Sequence, residues 1–210
     1  MKSIDEERAR IDEYRSDVGA AEFFNDPKYK EDFEWLILSY LTRTLRLAGL
    51  QTPSFAEKLA PPAPDFQTYF DSGIPCSRVE VTEVLRPQFH RNKFFVDMKR
   101  QGLQTFEIPE PHPMPWLSFR DVLRKKLSKS YAAGSWLLVY HDMSDSEYTD
   151  GLLWHERILG ELRTWTLNSD TTVDITASLY ASIYVVDPTG TQVVRLHPQW
   201  DVISIRQDIL

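Results

Sequence analysis

Two carboxylates and a group of lysines are the residues whose types and spacing can do chemistry in this chain. Asp65 stands just before Phe66 to Phe70, which reads as a strand, and Glu80 stands inside a second strand, Ser77 to Val84. Between them, Asp71-Ser72-Gly73 supplies the small residues and the glycine that permit a tight hairpin turn. With Ser72 and Gly73 as the two loop residues, Asp65 falls directly across from Glu80. Side chains opposed in this way have Cβ atoms about 4.5 to 5.5 Å apart, and two like charges so placed destabilise the pair unless a cation or a proton relieves them. The two-residue period then puts Asp65, Gln67, Tyr69, Arg78, Glu80 and Thr82 on a polar face, with Phe66, Phe70, Val79 and Val81 on an apolar face that packs.

The elements that must hold this hairpin are legible to different degrees. Residues 1–17 are mostly charged, with Ile4, Ile11 and Tyr14 at roughly helical spacing, as in an amphipathic leading helix or arm. A firmer helix starts at Asn25-Asp26-Pro27, a capping side chain before a proline, and carries an apolar face through Phe33, Leu36, Ile37, Tyr40, Leu41, Thr44 and Leu47 to Gly49. Gln51 to Pro64 holds Pro53, Pro61, Pro62 and Pro64 and reads as a linker or extended loop. After the hairpin comes a long irregular region with a basic first half and a proline-rich end. Ser118 then reads as the cap of a helix rich in Arg and Lys that ends before Gly134. Ser135 to Tyr140 is a near-continuous apolar run, the pattern of a central strand covered on both faces. A helix through Leu152 to Leu162 and a pair of strands, Leu179 to Val186 and Thr191 to Leu196, complete a mixed α/β order.

That order, with Pro64-Asp65, Glu80-Val81-Thr82 and the Lys-rich helix in place, resembles the PD-(D/E)XK nuclease superfamily, whose core is an αβββαβ unit. The resemblance covers Pro27 to Tyr140, about half the chain, and rests on few residues. It implies a restriction-endonuclease-like α/β fold: a helical arm over 1–24, a nuclease-like core over 25–141, and a C-terminal helix and hairpin over 142–210 packed on the same domain. It also implies that Asp65 and Glu80 bind magnesium, with Glu34 or Glu31 of the leading helix as a further acid. Phosphodiester hydrolysis needs a hard cation to polarise a phosphoryl oxygen, and carboxylates on adjacent strands are suitable oxygen ligands. Thr82 occupies the position where the family carries a catalytic lysine. Losing one such electrostatic stabiliser costs about 2.7 to 4 kcal/mol of barrier, so the resemblance implies either a nuclease with a substitute lysine or a descendant that kept the fold and lost efficient cleavage. Lys125 and Lys129, four apart on the basic helix, are the substitutes the resemblance offers, with Lys126 off their line.

The same residues have plainer readings. Asp65 is also a natural turn residue at the start of a strand, Glu80 a solvated strand position beside Arg78, and the lysines the wet face of an amphipathic helix. Arg86, His90, Arg91 and Lys93 follow the acid strand directly and are the candidates for phosphate contact with DNA, or else a basic loop in an acidic protein.

Composition bounds these readings. With 210 residues, 42% hydrophobic, the chain can build one domain's core, and its charge of −7 excludes coating nucleic acid by bulk electrostatics, leaving a local basic patch. The single cysteine, Cys76, excludes an internal disulfide and Cys-rich zinc sites. There is no Walker loop, GxGxxG or GxSxG, and no apolar run long enough for a membrane, so a cytoplasmic protein is expected. The rival to a nuclease is a non-catalytic module that binds a protein partner through Trp154, Trp165, Tyr180, Tyr184 and Trp200. A dimer is compatible with either reading.

Overall fold

A computed structural model describes residues 1–18, 22–23, 26–84, 115–127, 133–141, 179–186 and 192–204. Its described elements are a mixed eight-stranded sheet with helices α1 (Ile4–Val18), α2 (Lys30–Leu47) and α3 (Pro115–Leu127). The strands are β1 (Lys2–Ser3), β2 (Phe55–Lys58), β3 (Phe66–Tyr69), β4 (Pro75–Val84), β5 (Trp136–His141), β6 (Ser182–Val186), β7 (Gln192–His197) and β8 (Asp201–Ser204), and they lie in the sheet in chain order. Strands β1 to β4 are antiparallel, β5 runs parallel to both β4 and β6, and β6 to β8 are antiparallel again.

Two cores follow from the alternation of side chains across this sheet. Phe66, Val79, Val81, Leu138 and Tyr140 face one side and pack with Trp35, Leu38 and Leu41 of α2 and Ile4 and Ile11 of α1. Val84, Leu137, Val139, Ile183 and Val185 face the other and pack with Phe119 and Leu123 of α3. β5 therefore buries both faces, as its unbroken apolar run requires.

α2 is buried far beyond the single apolar face its spacing predicts. Residues Phe33 to Ser39, with Leu41, Thr42, Thr44 and Leu45, are all buried, because α1 covers the side that the sheet does not. Its buried hydroxyls turn back on the helix: Ser39 donates to the Leu36 carbonyl at 2.7 Å and Thr42 to the Ser39 carbonyl at 3.1 Å. Asp26 caps a short 3-10 turn, Pro27–Tyr29, by accepting from the Lys28 amide at 3.0 Å. At the far end Gly49, at φ +77, lets the Gly49 amide bond the Arg46 carbonyl and the Leu50 amide bond the Leu45 carbonyl, both at 2.9 Å.

Three expectations need correction. The proline-rich stretch after α2 is not only a loop, for Phe55–Lys58 pairs with β1 on one side and β3 on the other. The basic helix begins at Pro115, so Ser118 lies inside it; a proline suits a first helical position because the amide it lacks has no partner there. The C-terminal strands are joined by a further strand, β8. The helix expected at 152–162 lies outside the described residues.

Candidate carboxylate and lysine site

The β3–β4 register decides which side chains meet. Phe66 pairs with Val79 and Gln67 with Arg78, the register that carries Asp65 across from Glu80. It arises through two compensating irregularities rather than through a two-residue turn. The turn spans Asp71-Ser72-Gly73, closed by the Gly73 amide on the Phe70 carbonyl at 2.9 Å and the Phe70 amide on the Ile74 carbonyl at 3.0 Å. Gly73 sits at φ +76, where a side chain is strained. That longer turn sets Tyr69 opposite Pro75, and an extra β4 residue before Arg78 restores the register. Thr68 supports the irregular stretch: its hydroxyl donates to the Ser77 carbonyl at 2.7 Å and accepts from the Ser77 amide at 3.2 Å.

Asp65 sits where the β3 ladder stops. One carboxylate oxygen accepts from the Val81 amide at 2.8 Å, serving a β4 donor that lies beyond the last backbone pair of β3. The other lies 3.4 Å from the Lys58 ammonium. Lys58 ends β2, pairs in register with Phe66, and holds its ammonium 4.4 Å from the centre of the Phe66 ring. The same ammonium donates to Glu34 of α2. Glu34 is only 7% exposed, and its other oxygen lies 3.6 Å from the exposed Lys30. Burial pushes the Glu34 carboxyl above its ordinary range, and the Asp65 charge pushes the same way; the hydrogen bond from Lys58 opposes both.

Glu80, also 7% exposed, points to the α3 side of the sheet and accepts from Lys126 at 2.5 Å. The lysine of this helix that meets Glu80 is thus Lys126, while Lys125 is exposed and Lys129 lies outside the described residues. α3 turns the line through Lys126 toward β4 because Phe119 and Leu123 must enter the second core. Lys126 follows Leu123 by three and so shares its face. Thr82 stands two residues beyond Glu80, opposite Val139, and brings no charge.

The predicted acids are therefore brought to neighbouring positions but divided between two cations: Glu34 and Asp65 share Lys58, and Glu80 pairs with Lys126. Glu31, the alternative acid on α2, is exposed. Among the described residues no set of three or more His, Cys, Asp or Glu side chains stands together as a metal-ligand group. Magnesium, however, commonly keeps several waters and uses one or two carboxylates, and Glu34 and Asp65 already converge on one cation. This pair fits a divalent cation in charge and donor type. Lys58 is the residue sequence reasoning missed; its strand is four residues long and lies among prolines, so no alternation announces it.

Arg86, His90, Arg91 and Lys93 lie outside the described residues, as do Trp154 and Trp165. Of the other aromatics, Tyr180 and Tyr184 are 3% and 6% exposed and serve the interior, while Trp200 is half-buried against the second core. The Cys76 thiol is raised above its ordinary pKa by burial, the opposite of an activated nucleophile. No helix of the described residues is long and apolar enough to cross a membrane. Compared with protein-family models, curated proteins and solved structures, the chain matches none.

Proposed function

We propose that this chain is a metal-dependent phosphodiesterase acting on DNA, built on a restriction-endonuclease-like core. The element order supports the core: α2 is followed by the antiparallel β2, β3 and β4, then by α3 and the parallel strand β5, the sequence of an αβββαβ unit. The observation that carries the activity is Lys126. It brings an ammonium from α3 onto Glu80, filling with a helix residue the role that neutral Thr82 leaves open on the strand.

Asp65 and Glu34 would hold a magnesium ion, and Glu80 stands next along β4 to the Val81 amide that Asp65 accepts. Magnesium, when bound, supplies Lewis-acid polarisation of a phosphoryl oxygen and activation of water. Hydrolysis adds water across one P–O ester bond, leaving a phosphate monoester and an alcohol. The Val81 amide fixes the Asp65 carboxylate, and Lys126 offers positive charge where the phosphoryl oxygens gain negative charge. Arg86, His90, Arg91 and Lys93 are proposed to steady the DNA backbone.

The test is cleavage of duplex DNA in magnesium and in EDTA. Wild type should cut only with magnesium, Asp65→Asn should abolish cutting, and Lys126→Met should slow it about a hundred- to a thousandfold. With calcium replacing magnesium, log affinity for DNA should fall with log salt by about 0.9 per phosphate contacted. Cleavage unaffected by Lys126→Met or by EDTA would overturn the proposal, as would DNA binding indifferent to salt.

A further inference from the structure

The resting state of the Glu34 and Asp65 pair is a lysine complex. Two carboxylates from different elements, α2 and the start of β3, converge on one ammonium that comes from a third, β2. Three features make Lys58 more than a surface ion pair. Glu34 is buried and its ionised form is disfavoured by burial, so a charge there requires a near counter-charge. The Lys58 ammonium sits over the ring of Phe66, a fully buried side chain, which limits where it can rest. And Lys58 keeps 27% of its side-chain surface exposed, so a path to solvent is open to the ammonium.

From this geometry we infer that Lys58 is an internal counter-cation that competes with the divalent metal for Glu34 and Asp65, so that metal binding must displace its ammonium. The inference rests on the functional reading above and adds a control to the same site. A magnesium ion needs its ligand oxygens at about 2.0 to 2.1 Å. An ammonium within hydrogen-bond reach of one oxygen of each carboxylate stands in the space such an ion would take. The two cations are alternatives, and the protein's own cation is tethered and therefore always at high local concentration. Affinity for free metal is lowered accordingly, and the acid pair is never left without positive charge when metal is scarce.

The experiment is calorimetric titration of manganese and of calcium into the full chain, for wild type, Lys58→Met, Lys58→Gln and Lys58→Arg. Both neutral variants should bind at least about tenfold more tightly than wild type, which corresponds to about 1.4 kcal/mol. Lys58→Arg should stay within a fewfold of wild type. Melting without metal gives a second readout: the neutral variants should melt lower than wild type, and saturating manganese should raise their Tm by more than it raises that of wild type. Lys58→Gln keeps the test alive if Lys58→Met does not fold. Adding Asp65→Asn to Lys58→Gln should remove the gained affinity. If wild type binds metal and the neutral variants bind equally or more weakly, the competition is refuted while the metal site stands. If neither wild type nor any variant binds at millimolar metal, both the competition and the functional reading fall.

Discussion

Asp65 is a small side chain with two jobs, one for each oxygen. Its bond to the Val81 amide ends the β3 ladder without leaving a donor unsatisfied, and its contact with Lys58 links the strand to α2. Neither job is visible in a residue that, by sequence alone, is equally a turn former. Lys125 and Lys126 make the clearest residue-level contrast. Lys126 is mostly buried against Glu80, whereas Lys125 is exposed. Lys126→Met should cost about 3 kcal/mol, near the lower end for breaking a buried pair, and Lys125→Met should stay within about 0.5 kcal/mol. Urea denaturation of the two variants side by side checks this; equal losses would show that the Glu80 pair carries no special weight.

At the level of elements, the β3–β4 hairpin shows what could be read in advance and what could not. The alternation through Phe66, Val79 and Val81 identified the packed face, because one buried face tolerates only one register. The turn has three residues where the spacing predicts two, yet Asp65 still falls across from Glu80 in register, since the extra residue at the turn is cancelled by the irregularity braced by Thr68. Thr68→Val should therefore cost about 1 to 3 kcal/mol by leaving buried Ser77 backbone groups without that hydroxyl, and should weaken manganese binding by shifting β3 against β4 and with it Asp65, which is fixed to the Val81 amide. Calorimetry and urea titration of this variant test both; intact metal affinity would show that the register does not depend on the Thr68 brace. Strand β2 was illegible for a different reason. Four residues bounded by prolines carry too little period to announce a strand, and what makes them one is the pairing with β1 and β3. The choice of Lys126 over Lys125 was equally hidden, because the rotation of α3 about its axis is set by how Phe119 and Leu123 enter the core.

For the whole molecule, one sheet joins the residues at both ends of the described chain, so a titration far from the site affects the stability of the whole. His197 closes β7, and partial burial lowers its pKa below 6.5. The unfolded chain then binds this proton more readily than the folded one, so stability rises with pH up to about 6.5 and gains nothing from His197 above it. Urea midpoints across that window should climb for wild type, and His197→Gln should flatten the climb; an unchanged slope would assign it to other groups. The mixed strand directions have a further consequence, in the order of assembly. Lys58, Asp65 and Glu80 lie on or beside consecutive strands joined by antiparallel pairings, and Glu34 on the helix just before them, whereas Lys126 arrives only with the crossover that brings β5 alongside β4. Closing a connection of that length is the slower event in a chain made from its N-terminus. A nascent chain therefore presents the acidic half first, and Lys58, made in the same stretch, supplies that half with a cation before Lys126 has been synthesised.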